Sequence, residues 1–140
     1  MTVVRAAPSR ATLYIAVALG SALGGLARWL VSDLLPGAPG GGFPWGTLFA
    51  NVSGSLLIGA YAASIAPGGC WSHDLRTRLF VMTGACGGYT TFSVFSLETI
   101  MLLQLGRHAL AGLYVGGSVL LWLAAVWAGY VLASLSRRAS

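Results

Sequence analysis

The sequence predicts an all-α membrane protein of four transmembrane helices, and three observations carry that reading. Hydrophobic side chains make up 56% of the 140 residues and charged ones only 8%, where soluble domains carry roughly 25% charged residues. A chain this short cannot hide so much apolar surface in one water-soluble core, so the surplus must face lipid. The apolar residues also gather into four runs of about the 20 residues that a helix needs to span a bilayer. Breaks rich in Pro and Gly, or marked by Arg, separate the runs.

The first run covers about 13–35. Arg5 and Arg10 before it resemble the charged start of a signal peptide, but the run outlasts a typical signal core and is read as a mature helix. The stretch 36–44 holds Pro36, Pro39 and Pro44 among glycines and cannot continue it. A second helix is expected over about 45–66, followed by Pro67-Gly68-Gly69. A third covers about 79–105, and the short break Gly106-Arg107-His108 makes the fourth, about 109–135, its antiparallel neighbour. Residues 1–140 thus form a single four-helix domain. Gly20 and Gly24, like Gly112 and Gly116, have the small-xxx-small spacing that lets helices approach closely, within one chain or between two.

All eight basic residues are arginine, and the formal charge is +5. They punctuate apolar runs rather than cluster on a polar fold, which excludes nucleic acid as a partner and points to topology determinants. Arg5, Arg10, Arg76, Arg78, Arg137 and Arg138 fall on one side of the membrane and Arg107 on the other, with Arg28 inside or at the far end of the first helix. That bias puts both termini in the cytoplasm. Cys70 and Cys86 have neither disulfide nor metal-site spacing and are read as free thiols.

Polar groups within the spans are costly and mark function. Thr47, Asn51 and Ser55 recur every four residues and share a face. Tyr114 and Ser118 repeat that spacing on the fourth helix. In the third, Gly84, Gly87 and Gly88 precede Thr90 and Thr91, poor helix formers that predict a break near its middle. Carbonyls freed at such a break are tolerated only when buried in protein or bound to something, and can coordinate Na⁺. Phe92 and Phe95 share a face, and the positive edges of aromatic rings can stabilise an anion without a formal charge. Glu98 lies inside the third helix, free to pair with an arginine or to accept from hydroxyls. The sequence holds no G-x-x-x-x-G-K-[ST] loop and no His/Cys/carboxylate cluster or nucleophile–base pair, so an enzyme is not expected.

Three segments carry a resemblance. Gly24-Gly25-Leu26-Ala27-Arg28-Trp29, the run Gly46 to Ser55 containing Asn51, and Gly84 to Glu98 centred on Thr90-Thr91-Phe92-Ser93-Val94-Phe95-Ser96 resemble the helix signatures of the CrcB/Fluc fluoride channels. The resemblance covers nearly the whole chain in order. It implies a fluoride-selective subunit in the bacterial inner membrane that passively exports cytoplasmic fluoride and relieves its toxicity. It further implies an antiparallel dimer with two narrow pathways between the subunits. Asn51 then lines the pathway as a donor and Phe92 and Phe95 flank the ions, while Tyr114 and Ser118 form a polar track that Thr47 supports. The carbonyls of Gly87 and Thr90 match a structural Na⁺ site on the dimer axis, and Arg28 matches a vestibule arginine.

Two departures stand out. Trp122 occupies the next position of the polar track, where a small hydroxyl residue is usual in that family, and is expected to narrow a pathway there. The arginine bias is also too strong for a subunit that inserts both ways, which favours an oppositely oriented paralogue over a second copy as partner. A non-conducting or partner-dependent subunit of a heterodimeric channel is therefore the alternative. A small multidrug transporter subunit fits less well, because it needs a carboxylate within the first helix and this chain has only Asp33 at its end.

Overall fold

The computed structural model describes residues 8–35, 42–66 and 74–138. The side chains of Arg137 and Arg138 lie outside that description, as do Arg5, Cys70 and the connecting residues 36–41 and 67–73. Every regular element among the described residues is helical. In chain order these are α1 (Arg10–Leu34), α2 (Trp45–Ser64), α3 (Leu75–Arg78), a π-helical stretch (Leu79–Cys86), α4 (Gly87–Tyr89), α5 (Ser93–Gln104) and α6 (His108–Arg138).

Local chemistry accounts for the ends. Ser9 caps α1 by accepting from the Thr12 N–H at 3.2 Å, satisfying one of the four orphan donors of a helix start. Leu35 leaves helical geometry at φ −120° and ψ 71°, as a residue before proline tends to do. Asp74 caps α3 through the Thr77 N–H at 3.0 Å. At the end of α5, Gly106 takes φ +70°. The Arg107 N–H then reaches back to the Leu102 carbonyl at 2.9 Å and the Gly106 N–H to Leu103 at 3.0 Å. These paired bonds are the Schellman arrangement, and they turn the chain straight into α6.

Three helices, Arg10–Leu34, Trp45–Ser64 and His108–Ser136, are each long and apolar enough to cross a membrane. The third span expected from the sequence, 79–105, is divided among the π-helical stretch, α4 and α5, so no single helix there has that length. The chain is a multi-pass membrane protein whose regular elements, among the described residues, are all helical. Leu19, Leu23, Leu26 and Leu30 form an exposed apolar stripe on α1 that water would not tolerate and lipid does.

Packing sorts the helices into two principal pairs. α2 lies chiefly along α6, while α1 lies along the π-helical stretch and α4. The second pair is close enough that side chains are excluded at its centre. A Cβ on Gly20 would meet the Phe80 carbonyl oxygen, and a Cβ on Gly84 would come within 2.9 Å of the Gly20 Cα. The first small-residue pair, Gly20 and Gly24, therefore packs inside the chain. Gly112 and Gly116 differ, since a Cβ on either would meet nothing within 4 Å. The core that steadies the α2/α5/α6 side consists of Leu48, Phe95, Leu102, Ala111 and Tyr114.

Candidate functional site: a polar seam between α2, α5 and α6

Between α4 and α5 the backbone leaves the helix, with Thr90 extended at φ −81° and ψ 158°. Peptide groups there lack ordinary helical partners, and α2 supplies one. The Asn51 amide acts as a stand-in peptide: its Nδ2 donates to the Thr91 carbonyl at 2.9 Å, and its Oδ1 accepts from the Thr91 N–H at 2.7 Å. Asn51 is buried, so both bonds are made in a low-dielectric setting where leaving them unmade would be costly. One N–H of the amide remains beyond this pairing.

The same rearrangement bears on Gly87 and Thr90. In an uninterrupted helix the Thr91 N–H would bond the Gly87 carbonyl and the Val94 N–H the Thr90 carbonyl. Instead Thr91 donates to Asn51, and Val94 donates to Thr91 Oγ1 at 3.2 Å. Both carbonyls thus lose their normal donor to a side chain. Among the described residues no group of three or more His, Cys, Asp or Glu could hold a metal. A cation at this point would therefore rest on backbone oxygens, hard ligands that suit an alkali cation.

Asn51, Gly87, Thr90, Thr91, Phe92 and Trp122 share the lining of one cavity of about 300 Å³. Phe92 stands 72% exposed at its edge, whereas Phe95 is buried, the two ring centroids lying 5.6 Å apart. The remaining expected pathway residues sit behind the cavity rather than on its wall. Phe95 packs against Tyr114 at 5.0 Å and against Trp122 at 4.9 Å, the latter edge to face. Ser118, on the same face of α6, is buried with no hydrogen-bond partner for its hydroxyl. Ser55 lines the cavity.

Glu98 organises the deeper part of the seam. Its Oε1 accepts from Thr47 Oγ1 at 2.9 Å and its Oε2 from the Tyr114 hydroxyl at 2.7 Å. Of the two kinds of partner the sequence left open for this carboxylate, the hydroxyls are the ones it meets. The signal was weak, because Thr47 and Tyr114 lie 51 and 16 residues away and only their helical faces hinted at a common direction. Thr91 carries a second role beside marking the break, since its Oγ1 accepts from the Val94 N–H. A threonine three residues before the first apolar turn of α5 is a local capping signal.

Arg28 is half-buried, and its Nε donates to the Gly88 carbonyl at 3.4 Å. This ties α1 to α4 one residue after Gly87. Tyr89 shares a hydrogen bond with Ser53 of α2 at 2.9 Å. The segment carrying the carbonyls is therefore held from two sides.

A small multi-pass helical protein with a buried seam of hydroxyl, amide and aromatic groups belongs to the class that moves or holds a small polar species inside the membrane. Comparison with known proteins makes the assignment specific. Residues 15–130 match the family described as CrcB-like protein, Camphor Resistance (CrcB), and the chain belongs to that family. It is 53% identical over 130 residues to Fluoride-specific ion channel FluC 1 of Rhodopseudomonas palustris (strain BisB18), covering 92% of each chain. It is 50% identical over 128 residues to a protein of the same name from Bradyrhizobium diazoefficiens, covering 91% of this chain and 89% of that one. A third relative, Fluoride-specific ion channel FluC of Paramagnetospirillum magneticum, is 48% identical over 125 residues, with coverage of 89% and 98%.

Proposed function

We propose that this chain is a subunit of a fluoride-selective channel that lets cytoplasmic fluoride leave the cell passively and so relieves its toxicity. The observation that carries the reading is the cavity where the Asn51 amide, Thr91, Phe92 and Trp122 converge, in a chain about half identical to proteins named as fluoride-specific channels. Fluoride is small and strongly hydrated, so a selective path must replace its water with close donors. Amide and hydroxyl groups with ring edges do so without a cationic side chain that would trap the ion, which conduction forbids. An inside-negative potential drives an anion outward by about 2.3 kcal/mol per 100 mV. Expression in a bacterium stripped of its own fluoride export is expected to restore growth in fluoride. Unchanged growth with the protein present in the inner membrane would count against the reading.

The working unit in this proposal is an antiparallel dimer whose subunits form two pathways between them, the segment between α4 and α5 lying at mid-membrane. Gly87 and Thr90 contribute carbonyls to a Na⁺ on the dimer axis, and the diversion of their helical donors supports that fit. When bound, the ion supplies a fixed positive charge and ties the two subunits together. Replacing sodium by a bulky organic cation in detergent should then shift the protein from dimer to monomer on gel filtration. An unchanged elution position would contradict a structural sodium. Arg28 lines the vestibule, held near the Gly88 carbonyl.

The arginine distribution favours cytoplasmic termini and an oppositely oriented paralogue as the partner. A reporter fused at Ser140 is expected to be cytoplasmic alone, and equal cytoplasmic and external populations would point to a homodimer. Trp122 on the cavity wall favours a second reading, a subunit that conducts only beside that paralogue. Efflux that appears only on co-reconstitution would select it.

A further inference from the structure

One wall of the cavity carries chemistry that a fluoride path does not use. Two sulfur-bearing side chains, Met82 and Cys86, line it opposite Asn51 and Ile58 of α2. Both belong to the π-helical stretch Leu79–Cys86, four residues apart, and face the same opening. Cys86 is a free thiol only 8% exposed. The hydrogen bonds at this residue use its backbone, since the Thr90 N–H and Oγ1 both donate to the Cys86 carbonyl at 3.0 Å. Its sulfur is left uncommitted beside open space.

A buried cysteine is ordinarily a small apolar filler whose reactivity, not its packing, gives it a role. Here the sulfur borders about 300 Å³ of cavity instead of a packed core, and a second sulfur borders it too. Thiolate and thioether are soft ligands that select soft ions such as Cu(I). Zinc needs four ligands, and no His, Asp or Glu lines this cavity to complete such a set. Calcium and magnesium need carboxylates and other hard oxygens, which the two sulfurs do not offer. Charge narrows the choice further. A thiolate and a monovalent cation cancel, so the pair can sit among uncharged walls, whereas a divalent ion would leave a net charge buried without a partner.

We infer that Met82 Sδ and Cys86 Sγ form a two-sulfur site for a soft monovalent cation of the Cu(I) and Ag(I) class, and that the bound ion closes the cavity to fluoride. As the metal–sulfur bond forms, the S–H bond breaks and its proton passes to water, with no change of oxidation state. The site itself stands on the two sulfurs, and only the block rests on the fluoride-channel reading. An ion held there fills space beside the Asn51 amide that a permeating anion must cross.

Silver nitrate in chloride-free buffer is the probe, because Ag(I) stays monovalent without a reductant and does not precipitate fluoride. The chain has two cysteines, so Cys70→Ser leaves Cys86 as its sole thiol. That protein in detergent is expected to retain about one silver ion per chain through gel filtration, measured by mass spectrometry of the metal, and to retain none once Cys86→Ser is added. Met82→Leu conserves volume and should weaken silver binding about tenfold or more by titration calorimetry. Affinity unchanged by Met82→Leu would mean a bare thiol and overturn the two-sulfur site, as would silver retained after Cys86→Ser. In liposomes, a slight excess of silver over protein should cut fluoride efflux through Cys70→Ser about tenfold or more and leave the Cys70→Ser/Cys86→Ser protein untouched. Unchanged efflux with silver bound overturns the block. If the parent protein passes no fluoride, the channel reading fails by itself, and silver retention still decides whether the site exists. A Cys86→Ser protein that does not elute like the parent is replaced by Cys86→Ala, with the same expected loss of silver.

Discussion

Asn51→Leu is expected to abolish most fluoride conduction, with efflux from liposomes reduced about a hundredfold or more. Leucine matches asparagine in size, so the packing of α2 survives while the peptide mimicry is lost. The Thr91 N–H and carbonyl, now bonded to the Asn51 side chain at 2.7 and 2.9 Å, would both be left without it at a point where the chain has left the helix. Each stranded group costs about 1–3 kcal/mol, and each 1.4 kcal/mol is about a factor of ten. The backbone between α4 and α5 would then collapse toward ordinary helical bonding and carry Phe92 with it. Asn51→Asp separates two contributions. It keeps an acceptor for the Thr91 N–H but turns an oxygen on the Thr91 carbonyl and presents a negative charge to an anion path. Its efflux should fall as far as that of Asn51→Leu, although its fold is disturbed less. Wild-type efflux from either protein would mean that the Asn51–Thr91 pairing does not shape the pathway.

The second large effect falls on Glu98 and is read as stability. Glu98→Ala strands the Thr47 and Tyr114 hydroxyls, which are 4% and 0% exposed, and leaves a void beside the core around Phe95. The loss is about 1–3 kcal/mol for each hydroxyl, measured as a lowered thermal midpoint in detergent. Glu98→Gln retains an oxygen for one hydroxyl and lets the other turn to accept, so less than half of that loss is expected. A double-mutant cycle isolates the interaction. Tyr114→Phe should cost stability in the parent and little in the Glu98→Ala background, because its donor has already lost its partner. Equal costs in both backgrounds would show that Tyr114 and Glu98 are not coupled.

What could be read from the chain followed the range of each interaction. The three long helices announce themselves through uninterrupted apolar length, a property of neighbouring residues, and Gly106 marks the turn into α6 through its freedom at positive φ. The division of the third apolar run into shorter pieces depends on where each N–H finds an acceptor, which length and hydropathy do not report. At the site, the residue types were legible and their pairings were not. Asn51 stood out as an expensive amide, but its partner is 40 residues away. Glu98 stood out as a carboxylate inside a helix, yet its partners sit on two other helices. Trp122 read as an obstacle because size is visible in a sequence, whereas an indole N–H without an acceptor is visible only in three dimensions.

One measurement bears most directly on the central claim. The purified protein is reconstituted alone into liposomes loaded with potassium fluoride or potassium chloride, and efflux is followed with ion-selective electrodes after the membrane potential is released by valinomycin. The account predicts rapid loss of fluoride and none of chloride, from the chain alone or, if the arginine bias governs assembly, once an oppositely oriented paralogue is present. Chloride leaving as fast as fluoride, or no fluoride leaving under either condition from protein that elutes as a folded dimer, would contradict it.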